Sequence, residues 1–100
     1  MFKDFFLGFV KTHILYHASR GPIYGVEMLE ELGRHGYRLS PGTLYPTLHR
    51  LEAEGYLSVR KRVVGGKVRK YYTITEQGIV VLDVARKKIA ELVDEVLRER

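Results

Sequence analysis

The sequence predicts a mostly helical α+β fold: a winged helix-turn-helix followed by a C-terminal dimerisation helix. Apolar residues recur at three-to-four spacing in four segments, which is the periodicity of amphipathic helices. A Gly-Gly pair stands between two strand-like runs, which is typical of a hairpin. The elements follow the order helix, helix, turn, helix, hairpin, helix. At 100 residues the chain has the size of one domain, with the helix-turn-helix part over 1–78 and the dimerisation helix over 79–100 in the same compact unit.

The first two helices are predicted from their apolar residues. From about Asp4 to Ala18 the apolar arc is wide, so we expect this helix to be buried by its own domain and by a second subunit. Residues 20–22 break it, and Pro22 suits the first position of the next helix. The predicted buried face of the second helix consists of Ile23, Val26, Leu29 and Leu32.

The third helix is predicted from Ser40 to about Glu54. Ser40 followed by a proline is a helix-start signal, because the serine side chain can cap the first turn. Gly55 suits the left-handed conformation that ends a helix. Pro46 falls past the first turn, so either the helix begins near Thr43 or it is slightly bent.

The hairpin is predicted from two runs, 56–63 and 68–74, that are rich in β-branched residues and tyrosine. A two-residue turn at Gly65-Gly66 sets the register. It pairs Val64 with Lys67, Val63 with Val68, Arg62 with Arg69, Lys61 with Lys70 and Arg60 with Tyr71. Two of these pairs oppose like charges, which costs stability in an isolated sheet and which a row of phosphates would relieve.

The last helix is predicted to begin after the capping residue Thr75, with Glu76 near its positive end, and to run to the terminus. Its apolar residues recur like a coiled-coil seam for about two heptads. Its terminal position favours pairing with a second copy over folding back on its own domain. The predicted dimer interface comprises Phe5, Phe6, Phe9, Leu82, Ala85, Ile89, Leu92, Val93 and Val96.

Positive charge is concentrated in the middle of the chain. The net charge is +5, but residues 34–70 carry nine Lys/Arg against two acids, and the flanks together sum to −2. Such segregation points to a polyanionic partner for the middle of the chain. Together with the helix-turn-helix order of the elements, it leads us to expect double-stranded DNA as the partner.

In a helix-turn-helix the second helix of the motif enters the major groove. Placing Leu44, Leu48 and Leu51 on the buried face puts Gly42, Thr43, Pro46, His49 and Arg50 on the opposite face. Of these, His49 and Arg50 are the predicted base readers, and Tyr45 at the border can reach a phosphate. On the hairpin, alternation places Arg60, Arg62, Lys67, Arg69 and Tyr71 on one face. The full predicted contact set is Ser40, Gly42, Thr43, Tyr45, Pro46, His49, Arg50, Arg60, Arg62, Lys67, Arg69, Lys70 and Tyr71.

Residues 40–57 resemble the recognition-helix signature of the PadR family of transcriptional regulators, with the letters SPGTLYPTLHRLEAEGYL. Residues 21–25 are similar to the start of that family's second helix, and residues 69–78 to its second wing strand and the start of its last helix. The resemblance covers roughly 12–78 and is to the short form, without a C-terminal sensing domain. It implies a repressor that binds a palindromic operator as a homodimer, through its first and last helices, and that a small molecule often releases.

Two departures from the family pattern bear on the interpretation. Val26 stands where the family often has a tyrosine, which we interpret as a change within the core. The chain also has no tryptophan, the residue on which short family members commonly stack planar drugs.

Other functions stay open at this stage. A winged-helix module could bind an acidic protein surface without DNA, or the chain could be a ligand- or metal-sensing switch. His13 and His17 lie one turn apart and could form half a metal site, but no acidic or cysteine ligand accompanies them, so we interpret them as ordinary helix histidines. The basic hairpin could also be a strand edge protected against aggregation.

Composition and motifs limit the chemistry further. The absence of cysteine excludes disulfides, thiolate zinc sites and cysteine nucleophiles. No catalytic constellation is recognisable, so we expect no enzyme, no cofactor and no metal. The apolar run at 5–10 is too short for a signal peptide or a membrane span, so we expect a cytoplasmic location.

Overall fold

The computed structural model describes residues 2–99 and confirms the predicted element order. Helix α1 spans Phe2–Arg20, α2 spans Gly25–Arg34 and α3 spans Pro41–Ala53. Strands β1 and β2 span Leu57–Val64 and Lys67–Ile74, and α4 spans Glu76–Arg98. The fold is therefore α+β and mostly helical, with α2 and α3 as the helix-turn-helix and the two strands as the wing, which we call the ribbon.

The core lies where α1, α2, α3 and the base of the ribbon meet. Leu44, Leu48 and Leu51 are all buried, so the predicted inner face of the third helix is confirmed. Each such side chain contributes about 1.5–3 kcal/mol by leaving water. The buried apolar residues are Val10, Ile14, Leu15, Ala18, Ile23, Met28, Leu32, Leu44, Leu48, Leu51, Leu57, Tyr72 and Leu82.

The segment before α2 is extended, so the prediction that Pro22 opens the second helix is wrong. Ile23 forms an isolated bridge with Tyr72 of β2: each backbone N–H donates to the other's carbonyl, at 2.9 and 2.8 Å. This pairing satisfies backbone groups that the free edge of β2 would otherwise leave without a partner. The helix begins only after Tyr24, at Gly25.

Val26 was predicted in the core, and this prediction is also wrong, since 54% of the residue is exposed. The error has a simple cause. The helical phase was set from Ile23, which is extended and not helical. The buried face of α2 instead contains Gly25, Met28 and Leu32.

Helix α3 begins at Pro41 and includes Pro46. The alternative that the helix begins only near Thr43 is therefore wrong. The predicted cap is also wrong, because the Ser40 side chain makes no hydrogen bond to the helix backbone and lies 3.3 Å from Oγ1 of Thr43. Gly55 has φ +87°, so its left-handed conformation after α3 is confirmed.

The ribbon has the register that its turn predicts. Arg62 lies opposite Arg69, Lys61 opposite Lys70, and Arg60 opposite Tyr71. Gly65 and Gly66 both have positive φ, 57° and 79°, as a two-residue primed turn requires. Each strand reaches one residue closer to the turn than predicted.

Helix α4 starts with the predicted cap, because Oγ1 of Thr75 accepts a hydrogen bond from the N–H of Gly78 at 3.0 Å. The same hydroxyl donates to the carbonyl of Gly55 at 2.6 Å, which ties the start of α4 to the end of α3. Leu82 is buried against the domain. Further along, Leu92 and Val96 are 53% and 61% exposed.

The structure gives His13 and His17 neighbours that their spacing in the sequence does not indicate. The α2–α3 turn brings His35 beside them, so that three imidazoles meet, and Glu31 lies within reach. Local spacing does not indicate this cluster, because His35 lies 18 residues after His17 along the chain. Burial lowers the pKa of His13, and the neighbouring His35 and His17 lower it further, while Glu31 acts in the opposite direction.

None of the helices described over residues 2–99 combines the length and apolarity that a membrane span needs.

Candidate nucleic-acid interface

The outer face of α3 is presented to solvent along its length. The residues predicted there, Gly42, Thr43, Pro46, His49 and Arg50, are all exposed. The three leucines on the opposite side of the helix anchor it in the core. A rigid helix with one solvated face is the geometry that a major groove accepts.

A groove separates α3 from the ribbon, and we call it the α3–ribbon groove. Its floor includes Tyr72, whose pKa is raised by burial and, to a lesser extent, by Glu52 and Tyr45. Its lining contains four bases and no carboxylate: Tyr24, Gly25, Val26, Tyr45, His49, Lys61, Val64, Lys67, Val68, Arg69, Lys70 and Tyr72. The groove therefore joins the outer face of α3 to positive charge on the ribbon.

Tyr45 lies at the border between α3 and α2, and Gly25 permits that position. A Cβ atom added to Gly25 would lie 2.6 Å from the hydroxyl oxygen of Tyr45, which is too close for any two such atoms. The absence of a side chain at the start of α2 thus lets the tyrosine ring pack on its backbone. Its hydroxyl stays at the margin of the α3–ribbon groove.

The register confirms the predicted ribbon face, because Arg60 pairs with Tyr71, Arg62 with Arg69, and Lys67 with Val64 next to them. Residues paired directly across the strands share a face, so Lys61 and Lys70 lie on the face of Val59 and Tyr72 and line the α3–ribbon groove. Lys67 and Arg69 share the other face, although both also line the α3–ribbon groove. The bases Arg60 and Arg62 lie on that face too. There they line a separate depression with Pro22, Lys61, Tyr71 and Thr73.

The structure therefore brings Lys67, Arg69 and Lys70 together with Tyr45 and His49, and it does not bring Arg60, Arg62 or Tyr71 into that groove. Lys61 was left out of the predicted contact set, although it lines the same groove. The pairing of Lys61 with Lys70 was the signal that could have included it, since cross-strand partners share a face.

Arg69 is held between two tyrosines at the edge of α2. Its guanidinium lies 4.2 Å from the centre of the Tyr24 ring and donates a hydrogen bond of 3.4 Å to the hydroxyl of Tyr71. The two tyrosine rings contact each other edge-on at 5.5 Å. The hydrogen bond to Tyr71 is the main reason that the pKa of Arg69 is raised. This cluster links the ribbon to the start of α2.

Within residues 2–99 the salt bridges lie on α1, α2 and α4, and no ribbon base takes part in one. The like-charged pairs Arg62–Arg69 and Lys61–Lys70 therefore have no carboxylate in salt-bridge contact, although Glu27 acts on Arg69 from a greater distance. A surface of this kind attracts polyanions.

The residues predicted at the dimer interface lie on α1 and α4. Phe5 and Phe6 are 55% and 50% exposed, and Phe9 is half-buried. A shallow depression between the two helices is lined by Phe5, Phe9, Ala85 and Ile89, among others. The seam residues beyond it, Leu92, Val93 and Val96, are exposed in the single chain.

Comparison with known proteins agrees with this architecture. Residues 14–84 match the Transcriptional regulator PadR-like family. The chain is 48% identical over 95 residues to the transcriptional regulator Rv3488 of Mycobacterium tuberculosis, covering 95% of this chain and 89% of that one. It is 33% identical over 96 residues to the transcriptional regulator YqjI of Escherichia coli, covering 93% of this chain but only 44% of YqjI.

The fold agrees with solved structures as well. A PadR family transcriptional regulator from Eggerthella lenta superposes with a TM-score of 0.83 at 33% identity, over 98% of this chain and 87% of that one. These similarities describe transcriptional regulators, which bind DNA, and not enzymes. The chain belongs to the PadR-like family of transcriptional regulators.

Proposed function

We propose that this regulator is a repressor that binds a palindromic operator as a homodimer. The observation that carries the proposal is the α3–ribbon groove, where an exposed helix face and four bases border one acid-free surface. A duplex seated there would contact both elements at once. If DNA contacted α3 alone, the repulsion between the like-charged pairs of the ribbon would remain.

Base reading is assigned to the outer face of α3. Arg50 has the planar fork that binds the two acceptors of guanine in the major groove, and His49 lies beside it on the exposed face. At the start of the helix, Ser40, Gly42 and Thr43 stand at the positive end of the helix dipole, which favours a phosphate. Pro46 lies between these groups, and Tyr45 contacts phosphate at the border of the groove.

Phosphate binding is assigned to the ribbon. Lys61, Lys67, Arg69 and Lys70 line the α3–ribbon groove and contribute most of the affinity that does not depend on sequence. Arg60 and Arg62, with Tyr71, lie outside the groove, contact phosphates from the neighbouring depression and contribute less.

The dimer is assigned to α1 and α4. Their exposed apolar residues give each copy a surface that a second copy covers, and a two-fold axis presents two α3 helices to one side of a duplex. Two such helices reach successive major grooves when the half-sites lie about 34 Å apart, one turn of DNA. A palindromic operator follows from that symmetry.

Salt dependence of DNA affinity tests the assignment to the ribbon. The double variant Lys61→Gln/Lys70→Gln should lower the slope of log K against log [salt] by about 1.8, since each lost phosphate contact removes about 0.9. The matched variant Arg60→Gln/Arg62→Gln removes the same charge from the other face and should change the slope by clearly less. Fluorescence anisotropy measures the salt slopes of both variants, with an operator duplex that is first selected from genomic fragments.

Two results would contradict the proposal. An unchanged slope in the Lys61/Lys70 variant would remove the groove from the interface. Wild-type protein that shows no salt-linked binding to any duplex, but binds an acidic protein, would identify a protein-interaction module instead.

A further inference from the structure

Three histidines from two helices meet on the side of the molecule away from the α3–ribbon groove. His13 and His17 lie one turn apart on α1, and His35 follows the last residue of α2. One ring nitrogen from each lies within 4.8 Å of the other two. The rings of His13 and His35 stack with their centres 4.7 Å apart.

A carboxylate completes this group. One oxygen of Glu31, Oε1, lies 3.5 Å from Nε2 of His17 and 3.6 Å from Nε2 of His35. The other oxygen accepts a hydrogen bond of 2.7 Å from Arg34, which orients the carboxylate as outer groups orient metal ligands. Around a tetrahedral ion with bonds of about 2.0–2.1 Å, neighbouring ligand atoms are roughly 3.3 Å apart. The Glu31 distances are close to that value.

The surroundings favour a cation. His17 lies in the last turn of α1 and His35 caps α2, so both are near the negative ends of helix dipoles. Glu31 adds a full negative charge, with only 22% of its side chain exposed. The opposing positive groups nearby are Arg20, Arg34, which is bound to Glu31, and Arg86 of α4, which is paired with Asp83.

We propose that His13, His17, Glu31 and His35 form a binding site for a transition-metal dication of the Zn²⁺, Co²⁺ or Ni²⁺ type. Imidazole nitrogen suits these ions, whereas Mg²⁺ and Ca²⁺ take oxygen ligands. The three imidazoles would draw together from their present spacing of up to 4.8 Å, with Glu31 joining from the side of His17 and His35. Nothing in the DNA interface uses these residues.

The ion would join two parts of the molecule with different tasks. His13 and His17 belong to α1, which carries part of the proposed dimer surface. Glu31 belongs to α2, and His35 caps the end of α2 where the chain turns toward α3. Binding therefore sets the position of the helix-turn-helix relative to the dimer surface and changes DNA affinity. This second step rests on the proposed function, whereas the metal site does not.

Metal binding tests the site directly. Titration of the full chain with Co²⁺ should produce visible d–d bands, and competition against a chromophoric chelator gives the Zn²⁺ affinity. His35→Ala should lower the affinity for Zn²⁺ by about 100-fold or more, and Glu31→Gln should lower it by about 10- to 100-fold. Saturating Zn²⁺ should raise the Tm of the wild type by about 10 °C or more and leave that of His35→Ala nearly unchanged.

The fourth histidine provides the matched control. His49 lies on α3, outside the cluster, so His49→Ala should bind Zn²⁺ like the wild type. His35 is 46% exposed at a helix end, and circular dichroism confirms that its variant folds. Equal Zn²⁺ affinity of His35→Ala and wild type, or loss of binding in His49→Ala alone, would overturn the site.

DNA affinity with and without Zn²⁺ tests the second step. It should differ several-fold in the wild type and not in His35→Ala. If Zn²⁺ binds but DNA affinity stays the same, the site stands and the coupling is refuted. If no duplex binds in either state, the proposed function fails while the metal result remains.

Discussion

At Gly25, the absence of a side chain decides where Tyr45 lies. The ring of Tyr45 occupies the space that a Cβ atom would need, and its hydroxyl reaches the edge of the α3–ribbon groove. A glycine at the first position of a helix is not required for its backbone, because Gly25 has no positive φ. The packing of Tyr45 on this position therefore explains why a glycine is needed there.

Gly25→Ala should weaken DNA binding by about tenfold, because Tyr45 must turn away and would lose the phosphate hydrogen bond that we propose for its hydroxyl. The free energy of unfolding should change by less than about 1 kcal/mol, since the displaced atoms are the end of a mobile side chain. Anisotropy and urea unfolding measure the two effects. Tyr45→Phe should reproduce the loss of affinity, and full affinity in both variants would exclude Tyr45 from the interface.

At the scale of elements, close backbone contact sets where α4 begins. Gly78 is buried in its first turn, and a Cβ there would lie 2.6 Å from Cγ1 of Ile74 and even closer to the carbonyl oxygen of Tyr56. The Thr75 hydroxyl also bridges the start of α4 to Gly55. Helix α4 is thus attached to the junction of α3 and the ribbon.

Gly78→Ala should destabilise the protein by about 1–3 kcal/mol, because the contacted carbonyl belongs to the backbone and cannot rotate away. Gly33→Ala is the matched control: Gly33 lies in α2 with nothing within 4 Å of an added Cβ. It should be neutral or stabilising by up to about 1 kcal/mol. Urea unfolding compares them, and equal stability of the two variants would contradict this account.

At the scale of the whole molecule, most of the large apolar residues that are exposed within residues 2–99 lie on α1 and α4. The molecule extends 54 Å along its longest axis but only 28 and 21 Å along the others. The seam residues Ile89, Leu92 and Val96 are 41–61% exposed in the single chain. A second copy that covers this surface would bury what the domain itself does not.

Leu92→Glu should raise the Kd of the dimer by about 100-fold or more, because a two-fold interface loses the burial of two leucines. Val80→Glu changes an equally exposed residue of α4 on the side opposite the seam and should leave association unchanged. Light scattering after size exclusion should give twice the chain mass of 11.6 kDa for the wild type and for Val80→Glu. A wild type at 11.6 kDa would contradict the dimer.

Local sequence patterns were sufficient to predict most of the fold. The ribbon register was predictable because a two-residue Gly-Gly turn allows only one pairing of the two strands. The inner face of α3 was predictable because leucines at helical spacing lie on one side of the helix and are buried together. The start of α2 was not predictable, since Ile23 is held extended by Tyr72, almost fifty positions further along the chain. That error in phase placed Val26 in the core instead of the groove.

The sequence by itself determined the element order, the hairpin register and the basic character of residues 34–70, because these depend on neighbours along the chain. Only the tertiary structure decided which ribbon face borders α3, that Lys61 lies there with Lys70, and that His35 joins His13 and His17. Each of these depends on how two elements are oriented in space. Packing of the buried side chains sets that orientation, and no local pattern specifies it.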